Sequence, residues 1–173
     1  MKLILAEPFK RLWDGRDAFT EVEQLSGEVY RELDGRRTLR TEVDGRGYFV
    51  KIHRGIGWGE VFKNLFTAKL PVLGAGQEWR AIKRLHEVGV PTMTAVAYGE
   101  KGSNPAQQHS FIITEELAPT VSLEDFSLNW LKQPPQPKLK RALIAEVARM
   151  TGMMHRAGVN HRDCCLLYTS PSP

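Results

Sequence analysis

Three separated groups of residues carry side chains that could act together chemically: Lys51, Glu78 and His161-Arg162-Asp163. Lys51 stands between Val50 and Ile52 in a run of extended character, so strand alternation puts the ammonium on one face and the two branched side chains on the other. Glu78 lies one helical turn before Ile82 and two before Leu85, which places its carboxylate on an apolar face. A carboxylate held there needs a counter-charge, and a strand lysine is a fitting one. His161-Arg162-Asp163 follows a long helix, in a loop that opens on the apolar anchor Val159. The chain carries 24 Lys+Arg against 20 Asp+Glu, a formal charge of +4, which suits an anionic partner: nucleic acid, nucleotide phosphates or anionic lipid. Metal chemistry has less support. No Cys-x-x-Cys or His-x-x-x-His is present, and the adjacent Cys164 and Cys165 cannot close a useful disulfide loop.

Elements must hold these groups in place. With 173 residues, 42% hydrophobic and 25% charged, the chain is sized for one domain or a little more, and its composition excludes a disordered tail, a fibre or a disulfide-stapled miniprotein. No apolar run approaches the roughly 20 residues that span a bilayer. Met1–Ala6 is too short for a signal peptide and ends at Glu7, so a cytosolic start is expected. Residues 2–5 fit a short strand and 17–25 a short helix. Alternating runs at 28–33, 38–43 and 48–52, separated by Asp34-Gly35 and Asp44-Gly45, predict an antiparallel meander. Spacings of three and four predict helices over 57–73 and 77–88, the second capped by Gly89. Strands are expected at 92–98 and 110–115 and a short helix at 123–130. An extended spacer through Pro134, Pro135 and Pro137 leads to the clearest helix, with Leu139, Leu143, Val147, Met150 and Met154 along one stripe.

In this order and on these elements, Lys51, Glu78 and His161-Arg162-Asp163 resemble the protein-kinase fold. The resemblance implies that Lys51 holds nucleotide phosphates, that Glu78 pairs with it, and that Asp163 orients the accepting hydroxyl. By position, the carbonyl of Glu115 and the amide of Leu117 would meet the adenine edge, with Thr114 as gatekeeper. The stretches Glu7–Trp13, Tyr48–Trp58 and Ala157–Cys164 further resemble the lipopolysaccharide core heptose(I) kinases of Gram-negative bacteria. That likeness implies transfer of phosphate from ATP, with Mg2+, to the first heptose of the lipopolysaccharide inner core, at the cytoplasmic face of the inner membrane. The substrate rests wholly on the resemblance. The implied fold is α+β and protein-kinase-like: an antiparallel five-stranded N-lobe with helix αC, then the first helices of an incomplete α-rich C-lobe. Residues 1–117 would form the N-lobe to the hinge, and 118–164 the start of the C-lobe up to the catalytic loop.

The sequence departs from the kinase pattern in places. Asp34-Gly35-Arg36-Arg37 stands where a Gly-x-Gly-x-x-Gly loop would cradle phosphates. Arg36 and Arg37 either contact phosphate by charge or decorate a solvated hairpin tip. On the 57–73 helix, Trp58, Phe62 and Phe66 either pack against the N-lobe or rest on a membrane surface. Residues 165–173 resemble the in-frame translation of a transposase-end sequencing adapter, a non-native tail on a truncated gene. The fifth residue after Asp163 is Tyr168, a poor ligand for hard magnesium, so the chain as written is expected to bind no metal and transfer no phosphate. A Kdo kinase, another sugar or protein kinase, or a non-catalytic pseudokinase-like binding module remain open. A nucleic-acid binder ranks last: Arg36, Arg37 and Arg40 alternate with Asp34 and Glu42, and no aromatic stacking platform accompanies them.

Overall fold

A computed structural model of the chain describes residues 1–33, 35–55, 74–104 and 107–160. The chain divides into two compact units, one of Met1–Ile82 with Met93–Glu116, the other of Lys83–Thr92 with Leu117–Pro173.

The first unit is built on one antiparallel sheet. Its strands are β1 (Lys2–Leu5), β2 (Glu28–Leu33), β3 (Arg36–Val43), β4 (Arg46–His53), β5 (Ala95–Lys101) and β6 (His109–Glu115), in the order β1-β5-β6-β4-β3-β2. The expected meander is β2-β3-β4. Asp44 and Gly45 turn between its last two strands with φ of 51° and 73°, the doubly positive pair of a tight hairpin whose twist matches the strands. Six strands replace the expected five, because Lys2–Leu5 joins the sheet edge beside β5, from Lys2 opposite Glu100 to Leu5 opposite Ala97. β5 starts at Ala95 rather than Thr92.

Alternation along β4 and β6 divides the sheet's two faces. Tyr48, Val50 and Ile52 of β4, with Phe111 and Ile113 of β6, join the larger core. That core is closed by α1 (Phe9–Leu12) and α2 (Ala18–Gln24), which bury Phe9, Phe19 and Val22. Its aromatic rings meet edge to face: Phe9 lies 5.2 Å from Tyr48, Trp13 lies 6.0 Å from Phe111, and Phe19 lies 5.3 Å from Phe111. Asp17 starts α2 by accepting from the Phe19 amide at 3.3 Å and the Thr20 hydroxyl at 2.8 Å.

The other face carries α3 (Gly76–Glu87), whose Ile82 and Trp79 pack with Ala75 on Tyr98 and Ile112. The helix is seated at its start by Ser110, a buried hydroxyl that accepts the Ala75 amide at 3.0 Å. The helix expected over 57–73 lies outside the described residues.

In the second unit, α4 (Leu123–Ser127) is shorter than its expected range, starting from a Ser122 side chain that accepts the Asp125 amide at 3.0 Å. α5 (Pro137–Arg156) follows. Pro137 is not part of an extended spacer: it opens this helix, where a fixed φ and a missing N–H cost nothing. No residue of α5 is fully buried among the described residues, and Leu139 and Ile144 are exposed.

Candidate active site

The strand lysine and the helix carboxylate meet. Lys51 Nζ donates to Glu78 Oε1 at 2.8 Å, with both side chains about one-third exposed (34% and 29%). Val50 and Ile52, on either side of the lysine, are fully buried on the opposite face. The pleat therefore pins the Lys51 Cα by its neighbours and frees its side chain toward α3. Opposite it across the sheet are Thr38 of β3 and Ile112 of β6. Glu78 stands in the first turn of α3, one turn before buried Ile82, so the docking of that helix sets the carboxylate's height above the sheet. The result is a half-buried, charge-balanced ammonium, a fixed point for an anionic oxygen.

His53, two residues beyond Lys51, shares this face. Burial is the main reason its pKa falls to about 4, assisted by the Arg36 and Lys51 charges and opposed by Glu78. It is therefore a neutral imidazole beside the ion pair at physiological pH. Arg36 lies directly opposite His53 in the β3–β4 register, on the same face.

Arg37 points the other way. It lies opposite core residue Ile52, its side chain is only 18% exposed, and its guanidinium donates to the Glu23 carbonyl of α2 at 3.2 Å. Glu23 also receives a two-pronged bond from Arg54, at 2.9 and 2.5 Å, which holds its carboxyl below the usual carboxylate range. The two arginines read together as a hairpin tip thus separate. Arg36 lies on the Lys51 face, and Arg37 ties β3 to α2.

At the end of β6, Thr114 is buried and sits opposite Phe49 on the Lys51 face. The Glu115 amide is held by the Thr94 carbonyl at 2.8 Å and the Glu116 amide by the Gly47 carbonyl at 3.0 Å. The Glu116 carboxylate receives Arg40 Nε at 2.9 Å and Nη2 at 2.8 Å. Leu117 begins the second unit with its side chain 54% exposed, and its amide has no main-chain partner among the described residues. His53, Arg40 and Glu116 did not emerge from the sequence as site residues. Alternation from Lys51 would have found His53. Nothing local signals a pair separated by 76 positions.

Asp163, with His161 and Arg162, lies outside the described residues, as do Trp58, Phe62, Phe66 and Tyr168. Among the described residues no group of three or more His, Cys, Asp or Glu is placed to hold a metal ion. No helix among them is long and apolar enough to cross a membrane.

Comparison with known proteins adds to this geometry. The profile of the lipopolysaccharide kinase (Kdo/WaaP) family matches residues 20–167. The chain is 76% identical over 168 residues to the lipopolysaccharide core heptose(I) kinase WaaP of Pseudomonas aeruginosa, covering 97% of this chain and 63% of that protein. It is 54% identical over 164 residues to the protein of the same name from Escherichia coli K12, covering 95% and 62%. A solved structure described as WaaP in complex with acyl carrier protein superposes with a TM-score of 0.83 at 67% identity, over 96% of this chain and 61% of that one. The chain spans about three-fifths of the length of the relatives it matches.

Proposed function

The chain belongs to the lipopolysaccharide kinase (Kdo/WaaP) family, and from that premise we propose that it is the nucleotide-handling part of a kinase that phosphorylates the first heptose of the lipopolysaccharide inner core, with ATP as donor. The observation that carries the phosphotransfer reading is the Lys51–Glu78 pair at 2.8 Å, one partner on a central strand and the other on the helix packed over it. Heptose as the acceptor rests on the likeness to the named relatives.

Phosphoryl transfer asks a protein mainly for positioning and charge neutralisation. Lys51 supplies the charge at a phosphate oxygen, and Glu78 prevents the ammonium from swinging to solvent. Neutral His53 adds no positive charge that would bind phosphate unproductively. Glu115 and Leu117 supply main-chain polar groups to the adenine edge. Asp163 is the group assigned to accept the hydroxyl proton of the sugar. Mg2+ would supply charge neutralisation at the phosphates in such a reaction, but among the described residues no group of three or more His, Cys, Asp or Glu is placed to hold it.

By the same likeness, an acyl carrier protein is a proposed partner. The cytoplasmic face of the inner membrane is the proposed location, with Trp58, Phe62 and Phe66 as the contact.

The deciding experiment measures labelled phosphate transfer from ATP to heptose-terminated inner-core acceptor by the chain extended to the length of its relatives. Transfer that is lost in Lys51→Ala and in Asp163→Asn supports the reading. Transfer to a Kdo-terminated acceptor lacking heptose would reassign the substrate. Undiminished transfer in both variants would overturn the site.

A further inference from the structure

The sheet contains a second ion pair with an unusual construction. Arg40 of β3 and Glu116, just past the end of β6, are joined by two parallel bonds of 2.9 and 2.8 Å, with side chains only 33% and 24% exposed. They are not strand neighbours. Arg40 stands opposite Phe49 on β4, and Glu116 lies beyond the last residue pair of β4 and β6, Tyr48 with Glu115. The pair closes over Gly47 of β4. A Cβ built on Gly47 would collide with Glu116 Oε2 and lie 3.1 Å from Arg40 Nη2. The φ of Gly47 is not positive, so what this glycine supplies is room for the fork rather than backbone freedom. Three residues from three segments therefore form one device: a planar fork, its carboxylate, and a gap beneath them.

The device acts on main chain. Consecutive amides at the end of β6 go to opposite neighbours, Glu115 to Thr94 and Glu116 to Gly47. β6 stops there, and without a further ladder the strand end would fray. The fork holds the Glu116 side chain to β3, two strands away in the sheet order, and the Gly47 carbonyl holds its amide to β4. The paired hydrogen bonds from Arg40 also keep the Glu116 carboxyl below the usual carboxylate range, so the pair stays ionised through neutral and mildly acidic pH.

We propose that Arg40 and Glu116, seated over Gly47, are positioning residues that hold the Glu115–Glu116 main chain in register for the edge of a nucleobase. The inference rests on the kinase reading and deepens it: Lys51 meets the phosphates, and the Arg40–Glu116 fork governs the base. It separates two parts of one ligand, so it can be tested apart from general stability. A purely structural ion pair would weaken all ligands alike or none of them.

The experiment is titration calorimetry of the 173-residue chain with two probes, ATP and inorganic tripolyphosphate, alongside thermal melting. Glu116→Gln keeps the shape and loses the charge; Arg40→Lys keeps the charge and loses the fork. Each is expected to weaken ATP about tenfold while leaving tripolyphosphate within about twofold of the parent chain. Gly47→Ala, which displaces the fork without touching its charges, is expected to show the same selective loss. Equal weakening of both probes, or unchanged ATP affinity in a folded Glu116→Gln chain, overturns the positioning role. Lys51→Ala serves as the reference. If it weakens both probes while Glu116→Gln weakens neither, the kinase reading stands and the positioning role falls. If Lys51→Ala changes neither, the kinase reading falls, and the inference with it.

Discussion

At the scale of single residues, the site is an exercise in which charges are kept and which are suppressed. Lys51 and Glu78 balance one another at 2.8 Å, while His53, on the same face, is driven to its neutral form by burial. That suppression has a thermodynamic consequence. The histidine's pKa is about 4 in the fold against 6.5 for the free side chain, so between those values the unfolded chain takes up a proton that the folded chain refuses. Stability therefore falls as pH drops from about 6.5 to 4, by roughly 3 kcal/mol from this residue, and the loss levels off below pH 4. His109, also depressed by burial, contributes with the same sign. Urea unfolding at pH 7 and pH 4 should show a distinctly smaller loss in His53→Gln than in the parent chain. Identical losses would place the acid sensitivity elsewhere. Lys51, Glu78 and their pairing were legible in the sequence because each breaks a local pattern, a charge flanked by buried branched residues or one on an apolar helical stripe. Arg40 and Glu116 break none, and only the folded sheet brings them together.

At the scale of elements, strand alternation does most of the sorting. Arg36 and Arg37 are consecutive, and a hairpin tip of unspecified length left both readings open to both residues. Because β3 begins at Arg36, the pleat sends one guanidinium to the Lys51 face and the other to α2. Arg36→Ala is expected to weaken ATP several-fold with little change in melting temperature. Arg37→Ala, which loses the bond to the Glu23 carbonyl, is expected to leave ATP affinity unchanged and cost about 1 kcal/mol of stability. The reverse pattern, measured by calorimetry and melting, would mean that the strand is registered one residue differently.

The meander, β6, α2 and α3 were legible from alternation, turn pairs, capping and helical spacing. One short helix and the start of another were not. Phe9–Leu12 is a single helical turn, too short for periodicity, and its part in the fold appears only when Phe9 and Trp13 are seen buried in the larger core. Pro137 sat among other prolines, and composition does not distinguish a spacer from the first residue of a helix. α2 closes that core, with its buried Phe19 edge to face on Phe111. Phe19→Ala is expected to cost about 3–5 kcal/mol in denaturant unfolding. A loss below about 1 kcal/mol would mean that α2 is dispensable to the sheet.

At the scale of the whole molecule, the Lys51–Glu78 pair assigned to the phosphates lies among the described residues, whereas Asp163, assigned to the acceptor hydroxyl, lies outside them. On the kinase reading, Tyr168 occupies the fifth position after Asp163, where such enzymes place a hard-metal ligand. The 173-residue chain is therefore expected to bind ATP without transferring its phosphate, and any acceptor-dependent transfer by it would refute this. The stripe of α5, with Leu139 exposed and Leu143, Val147, Met150 and Met154 half-buried, is apolar surface that promotes association, so dilute conditions suit these measurements. Co-sedimentation with anionic vesicles should be lost in Phe62→Asp if the 57–73 segment makes the proposed membrane contact, and retained if it does not.

One packing detail makes several of these experiments simpler. Trp79, next in sequence to Glu78, lies flat on Tyr98 at 5.1 Å and 16°. Its indole thus rides on the same helix turn as the carboxylate that steadies Lys51. With Trp13, Trp58 and Trp130 replaced by phenylalanine, emission from Trp79 alone becomes an optical gauge of how α3 is seated, readable in real time as nucleotide is added.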